Sequence, residues 1–415
     1  MPVKQLLMAQ AKEFSMFSLL MLNKPLRAAM LLLALNSGHV SANSAFDTFQ
    51  LHGFVNQGYF ISSNNNVFGK SSSNNGSLGL TEVGINASIR PFSQLGFAVQ
   101  GIYRKAGALN DEAQIDFALL DWTFHNTGNT QAGLRLGRIK NPIGFYNETR
   151  DMPFTRPSIL LPHGIYFERL RNLYLSADGA QLYFNQSTSI GDFNLKISAG
   201  KPLDDIKELE VAFFSFDAPG TLKPKDAYLT KLEYESSSGA TRLALSYVDL
   251  NLQYDKSTHD VFNDGDISIN LFILSAQQNI DKFTLTGEYL WQESSVSNFG
   301  VFMPDSKPIS ESYFIQGDYR LPHNLQISLR YDVSYLNKDD KDGDMYSALT
   351  GRPKHAVYIK DTMIGLRWMP SYQWMVRAEY HLVDGTSVLS HADNPDANTS
   401  NKNWDLFVLQ LSYRF

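Results

Sequence analysis

The sequence predicts an all-β protein, a transmembrane antiparallel β-barrel of about 16 strands. Three observations lead to this prediction. Apolar residues recur at every second position in many segments, the connections between these segments alternate between short and long, and no apolar run after residue 42 is long enough for a spanning helix. In residues 324–335, for example, Leu325, Ile327 and Leu329 share one face and Gln326 lies on the other. A period of two residues is the period of a β-strand.

A pattern with one apolar face also occurs in soluble β-sandwiches. Two features favour a membrane barrel instead. The segments run to roughly ten or more residues, which is longer than an ordinary strand and matches the length that crosses a bilayer at a tilt. Aromatic residues concentrate toward the ends of the segments, as they do in the interfacial girdles of membrane barrels.

The strand count follows from the connections. Seven short turns alternate strictly with eight longer connections along the chain. This alternation is what 16 antiparallel strands require when both termini lie on the same side of the membrane. Segments 112–125 and 266–280 are the least regular, because apolar residues occupy both of their faces. One hairpin more or fewer would give a barrel of eighteen or fourteen strands.

The first 42 residues have the order of a secretory signal peptide. The basic residues Lys24 and Arg27 precede an apolar run (28–35), and a small-residue cleavage pattern ends at Ala42. The apolar run is far too short for a spanning helix of roughly 20 residues. We therefore expect an exported protein that is cleaved after Ala42.

The chain thus divides into a signal peptide (1–42) and a single barrel domain (43–415). Residues 1–20 are unusual for a signal sequence, and a start at Met16 or Met21 would give a more ordinary one.

Composition excludes several classes of function. The net charge is −6, and the signal peptide carries +3, so the remaining chain is near −9. This charge argues against nucleic acid as a partner. The sequence contains no cysteine, which excludes disulfides, thiolate chemistry and cysteine-based zinc sites. We expect no cofactor.

The last segment, residues 405–415, carries an aromatic or aliphatic residue at every second position and ends on one of them. These residues are Phe407, Leu409, Leu411, Tyr413 and Phe415. The segment resembles the assembly signal of Gram-negative outer-membrane barrels. The resemblance implies an outer-membrane location and recognition by the barrel-assembly machinery. Because an open strand edge cannot persist in lipid, we expect this strand to pair with the first, near residues 46–61.

Residues 138–177 interrupt the alternation and form the longest connection. Pro142, Pro153, Pro157 and Pro162 cannot join a central strand ladder. Six basic residues against three acidic ones give the segment a net charge of +3. Its aromatic and aliphatic residues argue against disorder, and a loop of this length is usually functional. We expect this third external loop to fold back into the mouth of the barrel.

The same stretch resembles the phosphate-selective and related substrate-specific porins of sixteen strands. In those porins a strand that ends Gly-Arg-x-Lys precedes a Pro-x-Gly turn, an inward loop and a Glu-Arg pair. The matching residues here are Gly137, Arg138, Lys140, Pro142, Gly144, Glu168 and Arg169. The resemblance implies a homotrimeric porin whose water-filled channel passes small hydrophilic solutes by passive diffusion. A barrel of this width leaves an aqueous channel unless something fills it.

We expect residues 138–177 to form the constriction of that channel. Its predicted basic side consists of Arg150, Arg156, Arg169 and Arg171, its acidic side of Glu148 and Asp151, and Arg138 and Lys140 belong to its start. The predicted lumen wall includes Arg104, Arg135, Arg242, Arg330, Arg367, Arg377, Glu288 and Glu379. Two interpretations remain open: a solvated wall whose charges pair across strands, or arginines that select anions.

One outer loop, residues 339–344, is similar to part of a calcium-binding loop. However, Lys338 stands where the first acidic ligand belongs and Leu349 stands at the twelfth position. The alternative is a solvated surface loop that gathers divalent cations at the lipopolysaccharide surface.

Two other functions fit an outer-membrane barrel. A hydrolase would need a nucleophile, a base and an orienting group in one place, and neither a Gly-x-Ser-x-Gly elbow nor a His-Glu-x-x-His pair occurs. A plugged or adhesin-type barrel would act through its surface loops. We expect a channel rather than an enzyme.

Overall fold

Sixteen antiparallel strands close into one barrel in the computed structural model, which describes residues 47–203, 206–214, 216 and 218–415. The predicted signal peptide (1–42) lies outside these residues. Each strand pairs with its neighbours in sequence, and β1 pairs with β16 to complete the barrel, so the predicted strand number and closure are confirmed. The strands are β1 (Gln50–Ser62), β2 (Ser77–Phe92), β3 (Leu95–Ala106), β4 (Asn110–Asn126), β5 (Thr130–Lys140), β6 (Ser176–Ser187), β7 (Gly191–Pro202), β8 (Thr221–Ser236), β9 (Thr241–Asp255), β10 (Gly265–Ile280), β11 (Phe283–Ser297), β12 (Ile309–Leu321), β13 (Leu325–Tyr335), β14 (Tyr358–Trp368), β15 (Trp374–Gly385) and β16 (Asn403–Arg414).

Short helices occur only between strands in the described part of the chain. The α-helices are α1 (Arg171–Leu175), α2 (Ile206–Phe214) and α3 (Asp344–Thr350), and 3₁₀ turns lie at Asn147–Thr149, Pro153–Thr155, Lys354–Val357 and Ala397–Thr399. Among the described residues, no helix combines the length and the apolar character needed to cross a bilayer.

The connections largely follow the predicted alternation. One end of the barrel carries seven turns of two to five residues, and the opposite end carries eight connections that include all the long ones. One of these eight, residues 107–109, is as short as a turn, because β3 and β4 extend further than the sequence pattern indicates. The longest connection, residues 141–175 between β5 and β6, is called loop 3 below, since it is the third at the long-loop end.

The outer surface carries the apolar belt that lipid requires. On β13, Ile327, Leu329 and Tyr331 are exposed, whereas Gln326 and Ser328, which alternate with them, are buried on the inner face. On β16, Phe407, Leu409 and Leu411 are likewise exposed, and Tyr413 and Phe415 are partly exposed. Phe415 extends the β1–β16 closure, because its backbone exchanges two hydrogen bonds of 3.0 and 3.1 Å with Gly53.

This pattern is reversed in the halves of β8 to β11 that lie nearest the long-loop end. On β9 and β10, Leu250, Leu252 and Ile267 point inward and are at most 1% exposed. Polar residues such as Asn251 and Ser268 share the outer face with the lipid-facing Leu245 and Leu274. The inner face is apolar here because it packs against loop 3 and α2 rather than against water. The simple alternation of outward apolar and inward polar residues, seen in β13, therefore does not hold in this region.

Candidate functional site

Loop 3 contacts inward-facing side chains on widely separated strands. Near its start, the Gly144 amide donates a hydrogen bond of 3.1 Å to Ser246 on β9. Farther along, Arg156 donates a hydrogen bond of 2.6 Å to Glu82 on β2, and the Ile159 amide donates one of 2.6 Å to Glu379 on β15. Strands β2, β9 and β15 lie on different sides of the closed barrel, so the loop crosses its interior.

Wall carboxylates hold the loop through its backbone amides. Glu288 accepts the Phe145 amide at 2.8 Å and the Tyr166 hydroxyl at 2.6 Å. Glu379 accepts the Ile159 amide with one oxygen and lies 3.4 Å from the Leu160 amide with the other. These carboxylates are buried, and hydrogen bonds from N–H groups compensate part of the cost of burying their charge. Glu288 and Glu379, the two acids that the sequence predicts for the lumen wall, thus contact loop 3.

The tip of the loop, residues 158–163, docks on β13. Arg330 donates hydrogen bonds of 2.7 Å to the Ser158 hydroxyl and 2.8 Å to the Leu160 carbonyl. Asp332 accepts the His163 amide at 3.0 Å. From β15, Arg377 donates a hydrogen bond of 2.5 Å to the Arg156 carbonyl.

A buried histidine–carboxylate cluster lies beside this tip. Nε2 of His163 is 3.7 Å from Asp361 on β14, and Nδ1 of His381 is 2.8 Å from the same oxygen. Burial lowers the pKa of His163 to about 4, and the nearby Arg330 adds to this shift, although Asp361 opposes it. His163 is therefore neutral at neutral pH.

An ion-pair network joins the loop to β2 and β3. Arg104 and Arg156 both pair with Glu82, at 3.1 and 2.6 Å. Arg104 also pairs with Glu168 at 2.5 Å, and Arg150 approaches the same carboxylate at 3.2 Å. Four of these five side chains are almost completely buried, and Glu168 is partly exposed. Each of the three arginines therefore has an acidic partner.

A second network surrounds Lys140, which pairs with Asp116 on β4 and with Asp151 in the loop. Asp151 also pairs with Arg171. All four groups are buried. Asp151 therefore neutralises basic neighbours and does not face them across an open channel.

Glu148 likewise has basic partners on the wall, Lys196 at 2.5 Å and Lys231 at 3.5 Å. Burial by itself would raise the pKa of the Glu148 carboxyl, but the two lysines outweigh it and the pKa lies below its ordinary value. The predicted division into a basic side and an acidic side is thus wrong, because acids and bases alternate in space.

Arg138 does not belong to the constriction. It pairs with Asp178 at 2.8 Å, and these two residues lie opposite each other in the β5–β6 ladder. Asp178 is on the same face of β6 as the exposed Leu182 and Phe184. Arg138 therefore lies on the outer surface of the barrel. Arg138 follows the outward-facing Leu136 by two residues, and the β5–β6 ladder is continuous through both. The sequence prediction placed Arg138 in the constriction because it lies at the start of the long connection, but β5 continues to Lys140.

The remaining wall arginines do not contact the tip of loop 3. Arg135 pairs with Asp121 at 3.4 Å, and Arg242 pairs with Glu233 at 2.5 Å. Arg367 donates a hydrogen bond of 2.7 Å to Gln326. These residues are partly exposed, and Arg242 and Arg367 lie toward the short-turn ends of their strands.

A small inner cavity of about 60 Å³ lies against the loop, which is the space of roughly two water molecules. The ionisable residues that line it are Arg104, Arg150, Arg156, Arg169, Arg171, His163, Glu168 and Asp393. Five arginines therefore line it against two acids. Arg169 differs from the other four, because no ion pair or hydrogen bond to it is found among the described residues. Burial lowers its pKa, and no carboxylate offsets that shift.

A larger cavity of about 620 Å³, called the vestibule below, opens between the loops at the long-loop end. Arg169 and Leu389 line both the vestibule and the inner cavity, so the two spaces meet at these residues. On the barrel wall, by contrast, many inward-facing side chains are almost completely buried, and several are at most 1% exposed. Examples on five strands are Asn56, Gln181, Ser246, Ser312 and Gln410. In this conformation loop 3 therefore fills much of the cross-section.

Sequence reasoning missed Asp116 as a site residue. A β-bulge opposite Gln100 and Gly101 places this acid on the inner face within a run that is otherwise apolar on both faces. In the sequence, the evidence for Asp116 as a site residue is a single charged residue between the apolar Ile115 and Phe117.

The loop at 339–344 contains a structural carboxylate. Asp340 is buried and accepts the Met345 and Tyr346 amides at 3.0 and 2.8 Å, which satisfies N–H groups in the first turn of α3. These two hydrogen bonds occupy oxygens of the Asp340 carboxylate, which a calcium-binding loop would need as ligands.

Comparison with solved structures shows the same architecture in outer-membrane proteins. The outer-membrane channel DcaP of Acinetobacter baumannii matches with a TM-score of 0.57 and 13% identity over 88% of this chain and 97% of its own. An anion-selective porin from Comamonas acidovorans matches with a TM-score of 0.55 and 11% identity over 88% and 99%. The trimer form of in-vitro folded OmpT, an outer-membrane protein of Vibrio cholerae, matches with a TM-score of 0.53 and 12% identity over 89% and 99%.

The chain has the porin fold. No protein-family model and no curated protein sequence matches it. The barrel architecture indicates the outer membrane. The sequence identities are too low to infer the solute from these proteins, so any argument about the solute has to come from the residues of the site.

Proposed function

We propose that this protein is an outer-membrane channel through which small hydrophilic solutes diffuse passively, with a preference for anions. The porin fold and the structural similarity to an outer-membrane channel and an anion-selective porin support transport over hydrolysis. Loop 3 is the proposed constriction, because it crosses the interior and contacts several sides of the wall.

Arg169 carries the proposed anion preference. It lies where the vestibule meets the inner cavity, and it has no acidic partner among the described residues. A positive charge without a partner in a narrow, partly desolvated space offsets the cost that an anion pays for losing water. The four other arginines of the inner cavity contribute less net field, since acids pair with them.

Passage requires movement of the docked loop, because side chains near the middle of the wall are buried on all sides in this conformation. The tip at residues 158–163 is the proposed moving part. It is held by polar contacts with Arg330, Asp332 and Glu379, which can exchange for water when the tip lifts. Ile159 and Leu160 also pack against apolar residues of the wall, so lifting the tip has to separate this apolar contact as well.

The test is the reversal potential of single channels in a salt gradient across a planar bilayer. We expect anion preference in the native protein and a clear shift toward cations in Arg169→Gln. Arg138→Gln is the matched control, because it removes the same charge from the outer surface and should leave selectivity unchanged. Cation preference in the native protein, or equal selectivity in both variants, contradicts the proposal.

A plugged barrel that acts through its surface loops is a second candidate. The buried middle of the lumen favours it, as do exposed apolar residues on the outer loops, such as Val301 and Leu349. The two candidates differ in one measurement: a plugged barrel shows no steps of single-channel current at any voltage that the bilayer tolerates.

We further propose that the protein assembles as a homotrimer in contact with lipopolysaccharide after insertion by the barrel-assembly machinery. The trimer form of one structural neighbour supports the assembly state. Light scattering of the detergent-extracted protein should give three times the mass of one chain plus detergent.

A further inference from the structure

The vestibule has two chemically different sides. Its apolar side comes from the loops that follow β7, β9 and β11 and consists of Phe213, Phe214, Phe216, Phe262, Phe302 and Met303. Phe302 is 72% exposed and Phe216 is 44% exposed. Aromatic side chains exposed in a concave space, with polar groups around them, usually mark a binding site rather than a folding requirement.

The rest of this aromatic group has a structural role. Phe214 packs edge-on against Tyr254 at 5.3 Å and against Phe299 at 5.7 Å, and the residues of this inner layer are buried. The buried layer supports Phe216, whose ring is 6.3 Å from that of Phe214. The exposed ring is therefore held by packing and does not have to order on binding.

The opposite side of the vestibule is more polar. It is formed by the last two long loops and includes Arg352, His391 and Asn398 beside apolar residues such as Leu336. The one acid on this side, Asp396, accepts the Asn398 amide at 2.9 Å. Arg169 lies at the junction with the inner cavity. A ligand in this space can therefore place an apolar body against the phenylalanines and a negative group toward the arginine.

We propose that the vestibule binds anions with an apolar body, that is, small aryl or alkyl carboxylates or sulfonates. The negative group lies toward Arg169 and the body lies against Phe216 and Phe302. This inference rests on the proposed anion preference and narrows it to a class of solute. The vestibule volume of about 620 Å³ falls in the range of small-molecule sites, roughly 300–1,000 Å³. A channel for purely hydrophilic anions would gain nothing from exposed rings at its entrance, because such solutes stay hydrated there.

The test is calorimetric titration of the full-length barrel in lipid nanodiscs, with empty nanodiscs subtracted. The probes are naphthalene-2-sulfonate, methanesulfonate and the neutral 2-naphthalenemethanol. We expect saturable binding of naphthalene-2-sulfonate at least tenfold tighter than binding of either other probe. The double variant Phe216→Ser/Phe302→Ser should weaken naphthalene-2-sulfonate five- to tenfold, and Arg169→Gln should weaken it as well. Val301→Ser is the matched control, since Val301 is an exposed neighbour of Phe302 that does not line the vestibule.

Equal affinity for the two sulfonates, or an unchanged affinity in the double variant, overturns the inference about the apolar body. Equal affinity for the sulfonate and the alcohol overturns the part played by Arg169. Binding is measured here without current, so these results are separate from the reversal potential that tests the channel. A native protein that selects anions but binds both sulfonates equally would refute this inference and leave the proposed function intact.

Discussion

The substitution Glu379→Gln tests whether the tip of loop 3 is a latch. Glu379 accepts the Ile159 amide at 2.6 Å in a buried site, and its contact with the Leu160 amide is longer, at 3.4 Å. A hydrogen bond to a buried charge is worth about 1.5–3 kcal/mol. Glutamine keeps one acceptor oxygen but loses the charge, and its NH₂ group would face an amide N–H. We therefore expect the docked state to lose about 2 kcal/mol, which corresponds to roughly a 30-fold rise in the undocked fraction.

Two measurements check this value. Hydrogen exchange of the Ile159 and Leu160 amides should accelerate by about the same factor, because both amides become accessible when the tip lifts. Single-channel recordings should show a higher open probability at unchanged ion selectivity. Asp318→Asn is the matched control, because Asp318 is a buried wall carboxylate whose hydrogen bonds all go to other wall residues.

The reasoning is refuted if exchange at the two amides and the open probability both stay at native values in Glu379→Gln. An equal effect in Asp318→Asn would also refute it, since the change would then follow from loss of a buried charge rather than from release of the loop.

Three further predictions concern other contacts. His163 has a pKa of about 4 when the tip is docked and near 6.5 when the side chain is free. The docked state therefore loses stability as the pH falls below 6.5, by about 2 kcal/mol at pH 5. The single-channel current should rise on acidification from pH 7.5 to 5 in the native protein, and it should rise less in His163→Gln. Lys140→Met leaves Asp116 without its cation and Asp151 with only one. It should destabilise the barrel by about 3–5 kcal/mol. The measurement is the urea concentration at which half of the protein changes from the gel mobility of the folded barrel to that of the unfolded chain, and this midpoint should fall. Deletion of Phe415 removes the two backbone hydrogen bonds that extend the β1–β16 closure and should reduce the yield of folded barrel in cells.

The predictions for Lys140 and Phe415 each have a conservative control. Lys140→Arg keeps the buried cation and should retain more stability than Lys140→Met, and an equal midpoint for native and Lys140→Met would contradict the role of the ion pairs. Phe415→Tyr keeps the backbone and the ring, so it should fold normally. A native protein whose current falls at pH 5, or a His163→Gln variant with the native pH response, would show that another group controls the latch.

Local periodicity was sufficient to predict the barrel. The two-residue alternation in segments such as 324–335 located the strands and, for most of them, the outer face. The alternation of short and long connections gave the number of strands. The least regular segments, 112–125 and 266–280, correspond to β4 and β10, and both occupy the predicted places in the barrel. The signal peptide, the trimer and the role of loop 3 as a constriction stay predictions.

Charge partners could not be predicted from local sequence, since they come from distant parts of the chain. Glu82 and Arg156 are 74 residues apart, and the Ile159 amide and Glu379 are 220 residues apart. Arg138 was assigned to the constriction because it begins the predicted connection 138–177, whereas β5 continues to Lys140 and carries Arg138 on the outer face.

The sequence by itself determined that this chain closes into a sixteen-stranded barrel with an apolar belt, because burial against lipid imposes one period on every strand. The tertiary structure alone decided what fills that barrel. Loop 3 and α2 cover the inner face of β8 to β11, so leucine and isoleucine point inward there and polar residues point outward. The environment on each side of a strand sets which face is apolar, and near the long-loop end that environment is supplied by the path of distant loops through the interior.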